Sequence, residues 1–225
     1  MEVCEIKPVN DNEVTHLKPL MCELNILSRS DGSAILTQGQ TAVMVSIYGP
    51  VEVKMQNLHI HKASVEVHYI PKSGFSGIAD RLKEKIIQTT IETAVMSTLY
   101  PRSAVVINVL EMQDCGGLLS CAINATCLAL LNSGIQMKFL VASVFCIIND
   151  NDEIIIDPDK KQISNNYKAS FMFVFDSKDK KLITSSTTGT FSEMQYLQCT
   201  QQCRDVSLSI FKYYRDIVKK TALTL

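Results

Sequence analysis

Residues 113–134, QDCGGLLSCAINATCLALLNSG, decide how this chain folds. Gly116 and Gly117 open a run that is apolar on nearly every face, and Gly134 is placed to stop it. A helix lying on a protein surface keeps one polar face, so a helix without one is covered on more than one side. The pattern therefore predicts a helix from about 117 to 132, stopped by Gly134 and covered on two sides. The turn that feeds such a helix leaves free N–H groups at the positive end of a dipole, a ready seat for an anion. An enzyme using that seat for phosphate would set an arginine beside it. Here the residues after the glycines are Leu118 and Leu119, so the frame is present and the cation is missing.

Working outward, residues 33–39 and 41–48 read as two strands, with the second ending at Gly49-Pro50. Val65, Val67 and Tyr69 alternate with Glu66, His68 and Ile70 and predict a half-buried strand over 63–71. Asp80 is placed to cap a helix running to residue 99, with Leu82, Ile86, Ile87, Ile91 and Val95 on one face. Residues 103–112 form another strand. Beyond the central helix, 139–148 and 153–156 flank the turn NDND, and 169–175 and 181–186 flank DSKDK, which predicts two hairpins. Thr190 with Glu193 has the spacing of a capping box for a last helix. Its buried stripe is Tyr196, Cys199, Cys203, Val206, Ile210, Tyr213 and Ile217. Strands, helix, strand, helix, then strands and a long helix argue for an α+β domain with helices packed on mixed sheets. The halves are loosely alike, GSAILTQGQTAVMVSIYGP against FLVASVFCIINDNDEIIIDP, which suggests an internal structural duplication. With 225 residues, 46% hydrophobic, the chain fits one large domain or two fused small ones, and with no linker in view a single domain spanning 1–225 is the expectation.

Net charge is −1 and the isoelectric point is near 6.4, so no global basic field draws nucleic acid to this chain. Any RNA contact has to be local or built jointly with partner chains. No apolar run is long enough to cross a membrane, and MEVCEIKPVNDNEV lacks the pattern of a secretory leader. An intracellular location, cytosolic or nuclear, is the expectation. In that setting the eight cysteines are thiols. Cys199 and Cys203 share a helix face but have no further ligands nearby, so they read as core residues rather than metal ligands.

His59 and His61 lie two apart, and Asp150, Asp152 and Glu153 crowd one turn. Neither pattern completes a metal site, because the turn lacks the ligand layout of a calcium loop. Glu111, Asp114, Asp157 and Asp159, all at strand ends, are the candidates for gathering a divalent ion for nuclease chemistry. The lysine pairs 160–161, 180–181 and 219–220 read as solvated faces. No local signature of a Ser–His–Asp or Cys–His site occurs.

The stretch 24–50, LNILSRSDGSAILTQGQTAVMVSIYGP, resembles the opening strands of the ribonuclease PH family through Arg29, Asp31, Gly32, Ser33, Ala34, Gly39, Thr41, Val43, Gly49 and Pro50. DCGGLLSCAINATCLAL, IIIDPDKKQ and LITSSTTGTFS resemble the family's glycine turn with its core helix, its later strand end and its approach to the last helix. The resemblance runs from about 22 to 215, leaving about twenty N-terminal residues as an extension. It implies a ribonuclease PH fold of duplicated βαβα-type units. Active members are phosphorolytic exoribonucleases, and there an arginine after the glycine pair holds phosphate. Leu119 stands at that position here. A second family arginine, before the first long helix, falls near Ala79. Two acids six residues apart follow the family's later strand. Counted from Asp157, those positions are Ile163 and Ala169, and 162–170 contains no acid.

Without the cation and the acids, neither attack by phosphate nor protonation of the leaving oxygen is supported. The chain is similar in this respect to the non-catalytic ring subunits of the eukaryotic RNA exosome. That likeness implies a scaffold with no cofactor, supporting 3′-to-5′ RNA processing, ribosomal RNA maturation included. It implies other ribonuclease PH-like ring subunits and S1/KH-type cap subunits as partners, with single-stranded RNA threading the assembled channel. Nucleus, nucleolus and cytoplasm are the implied locations. Arg81, Lys83 and Lys85 are the candidate RNA contacts. The alternative is a divalent-metal-dependent nuclease working as a homodimer through the four acids above.

Overall fold

The structure is a computed structural model that describes residues 17–164 and 167–224. Most of the expected N-terminal extension, with Cys4 and His16, lies outside the described residues. Two sheets and four α-helices make up the rest. The first sheet holds β1 (Leu20–Leu24), β2 (Gly32–Gln38), β3 (Thr41–Glu52), β4 (Ser64–Ile70) and β5 (Ser103–Gln113), in the order β1-β2-β3-β5-β4. Its pairings are antiparallel except β4 with β5, which are parallel because α1 (Ile78–Ala94) crosses over between them. The second sheet holds β6 (Val141–Asn149), β7 (Ile154–Ile156), β8 (Tyr167–Asp176) and β9 (Leu182–Gly189), in the order β7-β6-β8-β9, all antiparallel. Each half is thus a sheet with helices, although the two strand orders differ.

Between the sheets runs α2 (Leu118–Ser133), as its all-round apolar surface requires. It packs on β2 and β3 on one side and on β6 on the other, and every residue from Ser120 to Leu130 is buried. Gly117 (φ 64°) and Gly134 (φ 72°) hold the left-handed conformation at its two ends, which a residue with a Cβ rarely adopts. At Gly32, α2 and β2 touch backbone to backbone, so that a Cβ there would lie 2.6 Å from the carbonyl oxygen of Ala129.

Asn124 is the polar exception inside that apolar helix. Opposite it, the edge of β6 away from β8 has no strand partner along its first residues, because β7 pairs only with 146–148. The Asn124 side chain fills that edge. Its Oδ1 accepts from Ser143 N (2.7 Å), and its Nδ2 donates to Ser143 O (3.0 Å). Tyr214, buried on the last helix, donates its hydroxyl to the same Oδ1 (3.0 Å). One amide therefore ties α2, the second sheet and α4 (Glu193–Thr224) together.

A similar device closes the outer edge of β4. Glu84 Oε1 accepts from Tyr69 N (2.8 Å), and Gln88 Nε2 donates to Val65 O (2.9 Å). Both residues come from α1, so the helix that crosses over to β5 also satisfies edge groups a sixth strand would need.

Several expected boundaries move. β3 continues through Gly49-Pro50 to Glu52 across a break in register, since its partner β5 extends as far. In α1 the N-cap is Gly77, and Asp80 works from the third helical position, its carboxylate accepting from Gly77 N (2.9 Å). That helix stops at Ala94, because Val95 turns extended to bridge Met137. Leu82 is 63% exposed and leaves the expected apolar face, which Ile87, Thr90, Ile91 and Ala94 supply. The capping box of α4 is Ser192 with Gln195, two residues beyond the expected Thr190 and Glu193. There Ser192 N donates to Gln195 Oε1 and Gln195 N to Ser192 Oγ. Cys199, Cys203, Val206, Ile210 and Ile217 are buried as the stripe predicts, while Tyr214 takes the central place expected of Tyr213.

Cys121, Cys127, Cys146, Cys199 and Cys203 are buried free thiols, and the Cys203 thiol donates to Cys146 Sγ at 3.4 Å. Burial pushes the Cys121 and Cys127 thiols up to about 12, so both stay protonated at neutral pH. No helix among the described residues is long and apolar enough to cross a membrane.

Candidate functional site

Where the glycine turn meets the second sheet there is a cleft of about 330 Å³. Its floor is apolar: Leu118 and Leu119 from the first turn of α2, Phe145 from β6, Ile163 from α3 (Lys160–Ser164) and Met172 from β8. Gly116 (φ 110°) lets the turn pass under α3, where a Cβ would meet Pro158 O at 2.6 Å and Ile163 Cδ1 at 3.1 Å. Hydroxyls from Ser120, Ser170, Ser186 and Thr188 stand around the floor, and Lys83, Lys160 and Asp114 complete the rim. The first helical hydrogen bond of α2 is Cys121 N to Gly117 O, and no side chain caps the helix. Its first-turn N–H groups therefore face the cleft as an anion seat with a hydrophobic floor.

Leu119 and Ile163 converge on this cleft. Ala169 does not: it is fully buried in the core, and the next residue, Ser170, lines the cleft instead. Side chains alternate along a strand, so a one-residue step turns the face. The position counted from Asp157 thus falls on the wrong face of β8, and the cleft-facing position holds a hydroxyl bonded to Thr188. Sequence reasoning missed Ser120, Ser170, Ser186 and Thr188. For Ser120 a signal existed, since it lies in the first turn after Gly117 and its N–H is one of the unbonded donors.

The four candidate metal acids do not gather. Glu111 Oε2 accepts from the Tyr69 hydroxyl (2.7 Å), and Asp114 Oδ1 accepts from Gly116 N (3.1 Å). Asp157 and Asp159 share Lys18, whose Nζ lies 3.8 Å and 2.8 Å from them. No group of three or more His, Cys, Asp or Glu among the described residues is arranged to hold a metal ion. Each of these acids is held by a nearby donor. In the hairpin turn, Asp152 is taken by Lys168 Nζ and Gln195 Nε2.

The candidate RNA contacts split as well. Residues 81 and 85 are one helical turn apart, whereas 83 points the other way. Lys83 pairs with Asp80 (3.1 Å), lies 4.6 Å from the centre of the Tyr69 ring and reaches the cleft rim. Lys85 donates to Gln88 Oε1 (3.3 Å), and Arg81 is exposed. They do not form one basic patch.

Asp157 is a buried carboxyl group close to the glycine turn. It is 5% exposed, has φ 54°, and accepts from Gln38 Nε2 (2.9 Å) and Lys18 N (3.2 Å). Desolvation by burial outweighs these donors and lifts its carboxyl above the ordinary value. A carboxyl whose folded pKa is raised contributes stability that is fully present below the unfolded value and is lost as pH rises through the folded value. Asp157→Asn is therefore expected to unfold at an equal or higher urea concentration than the parent at pH 7, with a flatter change in midpoint between pH 4 and 7. A midpoint at pH 7 clearly below the parent's would show that the ionised carboxylate is worth more than its desolvation costs.

A fold of two such sheets about a central helix has known counterparts. Residues 16–136 match the model of the 3′ exoribonuclease family, domain 1, of ribonuclease PH type. The chain belongs to the ribonuclease PH family. A curated relative, the exosome complex exonuclease RRP46 homolog of Arabidopsis thaliana, is 32% identical and covers 94% of this chain and 95% of its own length. The exosome complex component RRP46 of Saccharomyces cerevisiae is 26% identical, over 88% of this chain and 96% of its own. Among solved structures, rice Rrp46 superposes with a TM-score of 0.86 at 32% identity, covering 91% of this chain and 96% of that one. A chain of an archaeal exosome core matches in fold, with a TM-score of 0.78 at 16% identity, over 89% of this chain and 87% of that one. Within the ribonuclease PH family, then, this chain keeps the fold and the glycine turn, and it floors the cleft with leucine and isoleucine.

Proposed function

We propose that this chain is a ring-core subunit of an RNA exosome that has lost phosphorolysis. It pairs with other ribonuclease PH-fold subunits, supports S1/KH-type cap subunits and helps to form the channel through which single-stranded RNA passes. Nucleus, nucleolus and cytoplasm are the compartments proposed for it. The observation that carries the loss of activity is the floor of the cleft. Leu119 occupies the place where an arginine would hold phosphate, and Ile163 closes over the glycine turn. An anion attacking a polyanion needs cations placed before the reaction begins, and an apolar floor disfavours the phosphate it would have to bind. The relatives named as exosome components over nearly their whole lengths support the ring role. The Arabidopsis relative is named an exonuclease, so the catalytic question is settled by assay of this chain and not by likeness.

Purified protein with uniformly labelled single-stranded RNA and inorganic phosphate is expected to release no nucleoside diphosphate above a protein-free control. Leu119→Arg alone is expected to leave this unchanged, because the acid positions stay empty. Phosphate-dependent release that disappears on mutating this chain would refute the proposal. Affinity purification of the tagged chain from cells is expected to bring down other ribonuclease PH-fold chains. Recovery of the chain alone, or only as a homodimer, would refute the ring role.

A further inference from the structure

The cleft is closed to phosphate chemistry, yet it is not filled. Ser120 lines it, is 1% exposed, and its Oγ has no hydrogen-bond partner. A buried hydroxyl without a partner is uncommon and marks a place where a polar atom is missing. Beside it stand the open first-turn N–H groups of α2, and an apolar floor lies below. The fixed charge at the rim is small. Lys83 is already paired with Asp80, while Lys160 donates from Nζ to the Asp114 carbonyl oxygen (3.3 Å). One modest positive site over an apolar floor suits a singly charged group attached to an apolar one. It does not suit a dianion or a polyanion, whose hydration would be lost against leucine.

We propose that this cleft receives the C-terminal residue of a partner protein chain that ends in an aliphatic side chain. The side chain packs on Leu118, Leu119, Phe145, Ile163 and Met172. The terminal carboxylate accepts from the first-turn N–H groups of α2, from Ser120 Oγ and from Lys160. Capture of a chain terminus by oriented backbone N–H groups is an established recognition mode, and the Ser120 hydroxyl supplies the donor that a helix end by itself lacks. The proposal rests on the non-phosphorolytic reading only in that the cleft is free of RNA ends, and its test involves neither RNA nor ring assembly.

The probe is a fluorescein-labelled hexapeptide ending in leucine, titrated with the purified full-length protein and followed by anisotropy. The free-acid peptide is expected to bind at least about tenfold more tightly than the same peptide amidated at its C-terminus, as loss of a charge-assisted hydrogen bond implies. Ser120→Ala and Lys160→Met are each expected to weaken the free acid severalfold and leave the amide unchanged. Lys160 sits on the exposed side of α3, so that variant reports on binding even if Ser120→Ala folds poorly. Inorganic phosphate is expected to compete only at far higher concentration than unlabelled peptide. Equal binding of acid and amide, or no binding of either, would overturn the proposal. N-acetyl-leucine carries every contact named and is expected to compete with the peptide, whereas octanoate competing better than N-acetyl-leucine would overturn the protein partner and assign the site to a small carboxylic acid.

Discussion

Asn124→Ala is expected to lower the unfolding free energy by roughly 3–5 kcal/mol, because it leaves three buried groups without partners at about 1–3 kcal/mol each. Those groups are the N–H and C=O of Ser143 and the hydroxyl of Tyr214, all bonded to one side-chain amide in the parent. They sit on two elements, β6 and α4, and the amide that joins them sits on a third, α2, so the loss is felt across the interface on both sides of that helix. For a domain of this size the thermal midpoint should fall on the order of 10 °C. Urea denaturation followed by far-UV circular dichroism measures it. Asn124→Asp keeps the acceptor and loses the donor, and it places a charge where none is solvated. It is expected to be at least as damaging at pH 7 as alanine. A loss below about 1 kcal/mol for alanine would show that water replaces the amide, and that the side chain is not what completes the open edge of β6.

Gly32→Ala is expected to cost about 3 kcal/mol, the upper part of the range for overpacked cores, or to prevent folding. The added methyl would lie 2.6 Å from Ala129 O and from Ser133 Cβ, and 2.7 Å from Ser133 N. Two of those three atoms are backbone, so no rotamer change relieves them and α2 has to move off β2. Since α2 is held from its other side by β6, the movement is resisted. Adding Ser133→Gly removes one of the three contacts and is expected to restore only part of the loss. Full rescue by Ser133→Gly, or a cost within about 0.5 kcal/mol for Gly32→Ala, would show that the helix shifts freely, against the close packing expected here.

The sequence carried the fold where one physical demand was dominant. A helix without a polar face has to be sandwiched, and the glycines flanking it mark both ends. The hairpins at NDND and DSKDK, and the cysteines in the core stripe of α4, were legible for the same reason. What could not be read depended on choosing between near neighbours. Thr190 with Glu193 and Ser192 with Gln195 both have capping spacing, and only the path of the chain out of β9 selects the second. Along β8 both faces are buried from Phe171 onward, so there is no alternation to show whether Ala169 or Ser170 meets the cleft. Asn124 was visible as a polar residue in an apolar run. Its partners were not, because an open edge of β6 exists only once the short length of β7 is known. Lys18, which neutralises Asp159 and steadies Asp157, lies about 140 positions from them in the chain, and no local pattern joins the two.

A subunit made for a ring exists alone before it meets its neighbours, and in that interval any bare β-edge is an invitation to the wrong strand. Glu84 and Gln88 answer this on the β4 side with groups the chain already carries on α1. A stray strand arriving there would have to displace both side chains, and α1 with them, before it gained its first bonds. Quality control on that flank is thus built into the monomer and does not wait for assembly.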